Sequence, residues 1–170
     1  KVLQDSEVHT RVVIGEGERD DAPMLYIGEE MGNPESDLKI DIAVDPLECT
    51  NHCAKDLPDA LSVLAAAPRG ALLNAPDTYM NKLCGSSKLM GHIALDNSVE
   101  ENLSQAAKAL QKNISELKII VMDRERHIDL ISILKDLGVQ PILIGDGDVS
   151  GGLKAAEGSC AEAVLASDGF

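Results

Sequence analysis

The sequence predicts an α/β fold. Three observations carry that reading: short β-branched runs that end in carboxylates, one well-capped amphipathic helix, and a strand–helix–strand order in the last third of the chain. The first run, Arg11-Val12-Val13-Ile14, stops at Gly15-Glu16-Gly17-Glu18 and reads as a buried strand ending in an acidic turn. Asp20 and Asp21 followed by Pro23 form a helix-start signal, and Gly32-Asn33-Pro34 is the stop expected for that helix. Leu38 to Val44 is a second strand, with Ile40, Ile42 and Val44 on one face and Asp45-Pro46 at its end. The runs Ala60 to Ala67 and Ala71 to Leu73, separated by Pro68-Arg69-Gly70, suggest a hairpin or meander. Ser98 and Glu101 have capping-box spacing, and Leu103, Ala106, Ala107 and Leu110 follow at helical intervals. Lys118 to Asp123 is then a strand, Leu130, Ile133, Leu134 and Leu137 mark a helix stopped by Gly138, and Val139 to Gly145 is the next strand. That order requires a parallel pair with a right-handed crossover. Beyond Gly151 the periodicity weakens.

The chain has 170 residues, of which 44% are hydrophobic and 26% charged, the balance of a folded domain rather than a disordered one. At roughly 150 residues per domain the length predicts a single region, 1–170. Within it, residues 1–95 form an expected metal-binding half and 96–170 an expected βαβ substrate-binding half. Lys and Arg number 15 against 29 Asp and Glu, a net charge of −14. A field of that sign repels nucleic acid and anionic lipid, so neither is an expected partner. No run reaches the ~20 apolar residues of a membrane span. Four cysteines without a C-x-x-C pair, and a start with neither initiator Met nor signal pattern, lead us to expect reduced thiols, a cytoplasmic protein and a chain that begins inside a longer one. Aromatic residues make up only 2%, so the core must be aliphatic.

Glu16, Glu18, Asp45 and Glu48 follow strand ends, and carboxylates without His or Cys partners form a hard oxygen site suited to Mg²⁺ or Mn²⁺. Solvated loop carboxylates are the plainer reading. Pro46 favours the metal, because it fixes the backbone between Asp45 and Glu48. Arg124 and Arg126, with His127, form the compact basic group beside a predicted strand end, where guanidinium groups suit a phosphate. They are otherwise exposed cations at a helix start, a position the macrodipole disfavours. Asp146-Gly147-Asp148 suits sugar hydroxyls, or is a plain turn. Cys49, His52 and Cys53 lack the second ligand pair of a zinc site.

Taken in order, Val13 to Glu18 with Ala22 to Gly28, Asp41 to Glu48, Ala75 to Met80, Arg126-His127 and Asp146 to Asp148 resemble class II fructose-1,6-bisphosphatase. Val121 to Arg124 and the stretch Lys88 to His92 are most similar to its cyanobacterial-type bifunctional branch, which also acts on sedoheptulose 1,7-bisphosphate. The resemblance spans almost the whole chain. It implies the layered α/β fold of inositol-monophosphatase-like sugar phosphatases, incomplete here at both ends, and metal-dependent hydrolysis of a 1-phosphate in carbohydrate metabolism. It makes Glu16, Asp45 and Glu48 metal ligands, Glu16 and Thr50 catalytic, and Glu48, Cys49, Thr50, Tyr79, Arg124, Glu125, Arg126, Asp146, Gly147 and Asp148 substrate contacts. A sugar bisphosphate is the implied partner, in a dimer or tetramer of identical chains, in the cytoplasm or, for a photosynthetic eukaryote, the chloroplast.

The chain departs from that family at Cys49, where a Gly is usual, at Lys55-Asp56-Leu57, and at Glu125, where a Pro is usual. A left-handed conformation at Cys49 carries a cost of roughly 1–2 kcal/mol. The family also supplies a metal-binding Asp before residue 1 and a Glu after residue 170, so the 170-residue chain alone is expected to be a poor phosphatase. A non-catalytic remnant and a phosphosugar-binding module of another class are the alternatives; the second is opposed by the lack of G-x-G-x-x-G after any strand.

Overall fold

The computed structural model describes residues 2–16, 23–73 and 80–158, and the backbone of 163–168. It is a mixed α/β structure of two compact units, the first made of Lys1–Thr50 with Ala60–Pro76 and the second of Asn51–Asp59 with Asp77–Phe170. No helix among the described residues is long and apolar enough to cross a membrane.

The first unit is built on a four-stranded sheet of β1 (His9–Ile14), β2 (Glu30–Met31), β3 (Lys39–Glu48) and β4 (Leu61–Pro68), in the order β2-β1-β3-β4. β1 and β3 are parallel, and the outer strands are antiparallel to their neighbours. Alternation along β1 and β3 puts Val12 and Ile42 in register on one face, where they pack with Met31 and, partly buried, Ile40 and Val44. That face is the one expected for Ile40, Ile42 and Val44. On the opposite face Arg11 lies in register with Asp41, whose side chain is fully buried. Arg11 grips both Asp41 oxygens at 3.0 and 2.9 Å, Arg69 Nε lies 3.1 Å from Oδ1, and the Gly70 N–H donates to Oδ2 at 2.6 Å. The turn after β4 thus completes this ion cluster. It does not start the strand expected at Ala71 to Leu73, which is irregular with a bend at Leu72 instead.

The helix expected after Asp21 is also absent from its described part, residues 23–32. Leu25 has a φ of 60°, the Gly28 N–H donates to Val12 O at 2.9 Å, and the Val12 N–H donates to Glu29 O at 3.0 Å. These bonds along β1 use backbone groups that a helix needs for itself. Gly15 is required by this arrangement, because a Cβ there would meet the Leu25 carbonyl oxygen and the Val12 side chain.

Helix α1 (Thr50–Ala54) begins at the end of the first unit's leading segment. The second unit holds β5 (Met80–Gly85), α2 (Val99–Leu110), β6 (Ile119–Met122), α3 (Ile128–Asp136), β7 (Ile142–Ile144), α4 (Asp148–Glu157) and β8 (Ala163–Asp168). Its sheet has the order β5-β8-β6-β7, parallel except for β5. The central strand β6 is buried throughout: Ile119 and Val121 join the core of α2 and α3, while Ile120 and Met122 pack on Ala155 of α4. The sheet is therefore covered on both faces. As expected, Ser98 caps α2, its Oγ accepting from the Glu101 N–H at 3.1 Å, and β6, α3 and β7 form the parallel βαβ unit. Along α3, Leu134 is buried and Leu130 and Leu137 pack against the same core as expected, whereas Ile133 is exposed and Ile131 is buried instead. The buried His127 sits one turn before Ile131 and fixes which stripe faces inward.

Burial pushes the Asp41 carboxyl up, but the hydrogen bonds from Arg11 and the Gly70 N–H, with the charges of Arg11 and Arg69, outweigh it and hold the group below the usual carboxylate range. A folded-state value below the unfolded one of about 3.9 gives stability that is fully present above that pH and lost as pH falls through the folded value. Asp41→Asn should lower stability at pH 7 by roughly 2–3 kcal/mol in urea unfolding, and the gap from the parent should close as pH falls below about 4. A gap independent of pH would remove Asp41 from this role.

Candidate active site

The parallel pairing of β1 and β3 brings the carboxyl ends of both strands to one end of the first sheet, so Glu16, two residues past β1, leaves the sheet at the same end as Asp45 and Glu48. Asp45 and Glu48 are three residues apart, which in a regular strand would set them on opposite faces. They are not on opposite faces, because Asp45 pairs with Val63 and Glu48 with Leu61: three steps along β3 match two along β4. The extra residue makes a β-bulge, and since Val63 and Leu61 share a face, so do Asp45 and Glu48. Two hydrogen bonds hold the bulge. Leu47 N–H donates to Asp45 Oδ1 at 3.0 Å, and Ser62 Oγ donates to Pro46 O at 2.7 Å. Pro46 suits the place because it has no N–H to leave unpaired.

Asp45 and Glu48 form a hard-oxygen pair of the kind that Mg²⁺ accepts, an ion that keeps several waters and takes only one or two protein carboxylates. Among the described residues, no group of three His, Cys, Asp or Glu side chains is placed to hold a metal. Glu16 is thus brought to the same end of the sheet as the pair without forming a three-carboxylate cluster with it. Glu18 and Tyr79 lie outside the described residues.

Cys49 follows the bulge directly, with φ at 73° and only 5% of its surface exposed. The left-handed backbone expected where the resemblance implies a Gly is what the structure has. Thr50 follows, exposed, as the first residue of α1.

In the second unit the loops after β6 and β7 meet, as the carboxyl ends of adjacent parallel strands should. The Asp123 N–H donates to Ile144 O at 2.7 Å and ties the two strand ends together. Arg124 then lies 3.7 Å from Asp146 Oδ1, while Asn51 of α1 donates to Asp146 Oδ2 at 3.1 Å. An ion-pair partner explains a cation ahead of a helix start. Glu125 to His127 form a 3₁₀ turn, with Glu125 and Arg126 exposed. His127 Nδ1 is 2.8 Å from Met122 O, so Nδ1 carries the proton in that bond. Gly147 caps α4 in a left-handed conformation, φ 82°, with its N–H on Asp146 Oδ1 at 3.1 Å. Asp148 opens the helix, and its Oδ2 is held at 2.5 Å by Lys82 of β5. Arg126, His127 and Lys82 border a cavity of about 310 Å³ together with Asn81, Asn97 and Asn102.

The candidate substrate residues Arg124 and Asp146 are therefore paired, and Gly147 and Asp148 continue the same loop. Two polar residues in this group, Asn51 and Lys82, carry no local sequence signal. Each reaches its partner across more than 60 positions of chain.

Carboxylates gathered at parallel strand ends in one unit, and an arginine–aspartate loop pair at strand ends in the other, define an α/β protein equipped with both hard-oxygen and guanidinium groups. The model of the family described as bacterial fructose-1,6-bisphosphatase, glpX-encoded, matches residues 1–169, and the chain belongs to that family. It is 47% identical over 164 residues to a protein of Thermosynechococcus vestitus named D-fructose 1,6-bisphosphatase class 2/sedoheptulose 1,7-bisphosphatase, covering 89% of this chain and 47% of that one. A protein of the same name from Prochlorococcus marinus is 49% identical over 143 residues, 84% of this chain and 43% of the relative. The chain spans about half the length of the curated relatives it matches.

Cys49→Gly and Cys49→Ala isolate the backbone cost, since both remove the thiol. At ordinary backbone positions Gly is the less stable by about 0.5–1 kcal/mol, but at a left-handed one the order reverses. The Gly variant should exceed the Ala variant by about 1 kcal/mol in urea unfolding. Equal or reversed stabilities would rule out a left-handed residue 49.

Proposed function

We propose that this chain is the portion of a metal-dependent sugar bisphosphatase that carries Asp45, Glu48 and the arginine loop, acting on the 1-phosphate of fructose 1,6-bisphosphate and also on sedoheptulose 1,7-bisphosphate. The observation that carries the reading is the β-bulge that sets Asp45 and Glu48 on one face in a chain of this family. The names of the relatives supply the substrates. The finer fold in this reading is the inositol-monophosphatase-like layering of sheets and helices.

In the first unit, Asp45 and Glu48 would hold the metal, with Glu16 from the same end of the sheet drawn in to complete the set. Mg²⁺ or Mn²⁺ supplies charge neutralisation at the phosphoryl group and a more acidic water. Thr50 Oγ1 would help position a water for attack, and Thr50 would contact the substrate from the start of α1. In the second unit, Arg124 and Arg126 bind the distal phosphate, a task suited to planar guanidinium groups with fixed donors. Asp146 and Asp148 accept hydrogen bonds from sugar hydroxyls.

A second reading, a relative that binds phosphosugars without hydrolysing them, is favoured by Cys49, whose Cβ stands where the family has none. Placing this chain in the Thermosynechococcus vestitus relative, in exchange for the matching 164 residues, separates the two. The chimera should release phosphate from fructose 1,6-bisphosphate with Mn²⁺, lose that activity with EDTA, and gain rate on Cys49→Gly. Release from neither form overturns the hydrolytic reading. The 170-residue chain alone should work near background, and robust EDTA-sensitive release by it would show that Asp45, Glu48 and Glu16 suffice.

Two substitutions test the roles within the chimera. Asp45→Asn should weaken Mn²⁺ in calorimetry by about tenfold or more. Arg124→Ala should raise KM for the bisphosphate about tenfold, the scale of one charge-assisted hydrogen bond, with a much smaller effect on a monophosphate substrate lacking the distal group. Equal effects on both substrates would remove Arg124 from the distal phosphate.

A further inference from the structure

We propose that Lys82 is a positioning residue for the Asp146-Gly147-Asp148 loop: it fixes the Asp148 carboxylate so that a phosphorylated sugar can approach the loop. The inference rests on the bisphosphatase reading and extends it to a residue on a strand outside the loop itself.

The geometry that carries it is a matched pair of contacts between α4 and β5. Gly152 lies one turn after Asp148, about 6 Å along the helix, and Cys84 lies two residues after Lys82, about 6.6 Å along the strand. A Cβ at Gly152 would stand 3.4 Å from Cys84 Sγ, an ordinary van der Waals contact, so α4 packs directly on β5 at that point. The same approach, one turn earlier, puts the Asp148 carboxylate 2.5 Å from Lys82 Nζ. Two spacings that agree make the contact a consequence of how α4 seats on β5, not of one flexible side chain.

The chemistry requires such a partner. Asp148 is 11% exposed, and its carboxylate is therefore largely removed from water, where an uncompensated charge is costly. Asp146 in the same loop is served by Arg124 and Asn51. With Lys82 on Asp148, both carboxylates flanking Gly147 carry a cation, so the loop offers oxygen acceptors to hydroxyls without presenting two bare negative charges to a phosphate. Lys82 also borders the same cavity as Arg126, which puts its charge beside the arginine assigned to phosphate.

The test measures binding of fructose 6-phosphate to the 170-residue chain by calorimetry, with folding checked by circular dichroism. Lys82→Met should weaken binding about tenfold, Lys82→Arg by no more than about threefold, and Lys82→Met combined with Asp148→Asn should bind as Asp148→Asn alone, the non-additivity expected of a coupled pair. A lysine that acts other than through Asp148 would give additive losses, and the folding check together with the Lys82→Arg variant separates positioning from loss of structure. A folded Lys82→Met that binds as the parent does, or additive losses in the double variant, overturns the role of Lys82 and leaves the bisphosphatase reading in place. If Lys82→Met does not fold, Lys82→Arg decides: strong binding supports the proposal, and binding lost by more than about tenfold overturns it. A parent chain that binds no fructose 6-phosphate overturns the underlying reading, and the proposal with it.

Discussion

With 29 acidic residues and 15 basic ones, the chain cannot give every carboxylate a cation, and where the cations go determines how each unit is held. The most buried carboxylate, Asp41, takes two arginines, Arg11 and Arg69. Asp146 and Asp148 take Arg124 and Lys82, and Asp59 takes Lys154. These pairings tie together segments distant in sequence, strand to strand and turn to strand in the first unit, and loop to loop, strand to helix and loop to helix in the second. A buried ion pair adds little stability over an apolar substitute, but losing one partner is costly, so each of them specifies arrangement more than it adds strength. Asp45 is the contrast. Among the described residues no cation pairs with it, and its Oδ1 instead accepts from the Leu47 N–H of its own bulge. Its carboxylate is thus oriented by backbone and not by a side-chain cation.

The end of β3 shows how one irregularity serves a site. A regular strand would separate Asp45 and Glu48, and the bulge joins them; the chain must then turn at once, and it does so through a left-handed residue at 49 before α1 starts. Glycine adopts that backbone without strain, whereas cysteine does so at a cost. Two further non-glycine residues with positive φ, Asp56 at 53° and Asp59 at 78°, follow within ten positions. Departures from the family at Cys49 and at Lys55 to Leu57 thus fall in a stretch whose backbone favours glycine, aspartate or asparagine. Asp59 compensates by pairing with Lys154, which anchors this segment to α4.

What the sequence made legible was decided by local physics. Ser98 and the Leu103, Ala106, Ala107 stripe describe α2 because a cap and a 3.6-residue period are properties of the segment itself. Ile40, Ile42 and Val44 describe a face of β3 for the same reason. β5 and β8 were not legible: Met-Asn-Lys-Leu-Cys-Gly has no β-branched residue, and these strands exist because they pair with each other across about 80 positions. α4 was hidden by Gly151 and Gly152, which lower helix propensity. The helix signal at Asp20 to Pro23 was overridden over residues 23–29 by hydrogen bonds to β1. Of the candidate site, the carboxylates, the arginines and the Asp-Gly-Asp turn could be named from residue type at strand ends. The bulge, and the partners Asn51 and Lys82, depend on register and tertiary contact, which no window of sequence contains.

The same distinction bears on how an acidic protein receives an anion. Net charge alone sets a repulsive field, but it acts over a screening length of about 8 Å at physiological salt, so the local balance governs approach to a loop. Around Gly147 each flanking carboxylate is matched by a cation, Arg124 against Asp146 and Lys82 against Asp148. At the end of β3, Asp45 and Glu48 make the balance negative, the sign that a divalent cation would reverse. The two units therefore differ in local balance although they share one chain. An overall charge of −14 is compatible with both, because each local balance acts over only a few ångströms.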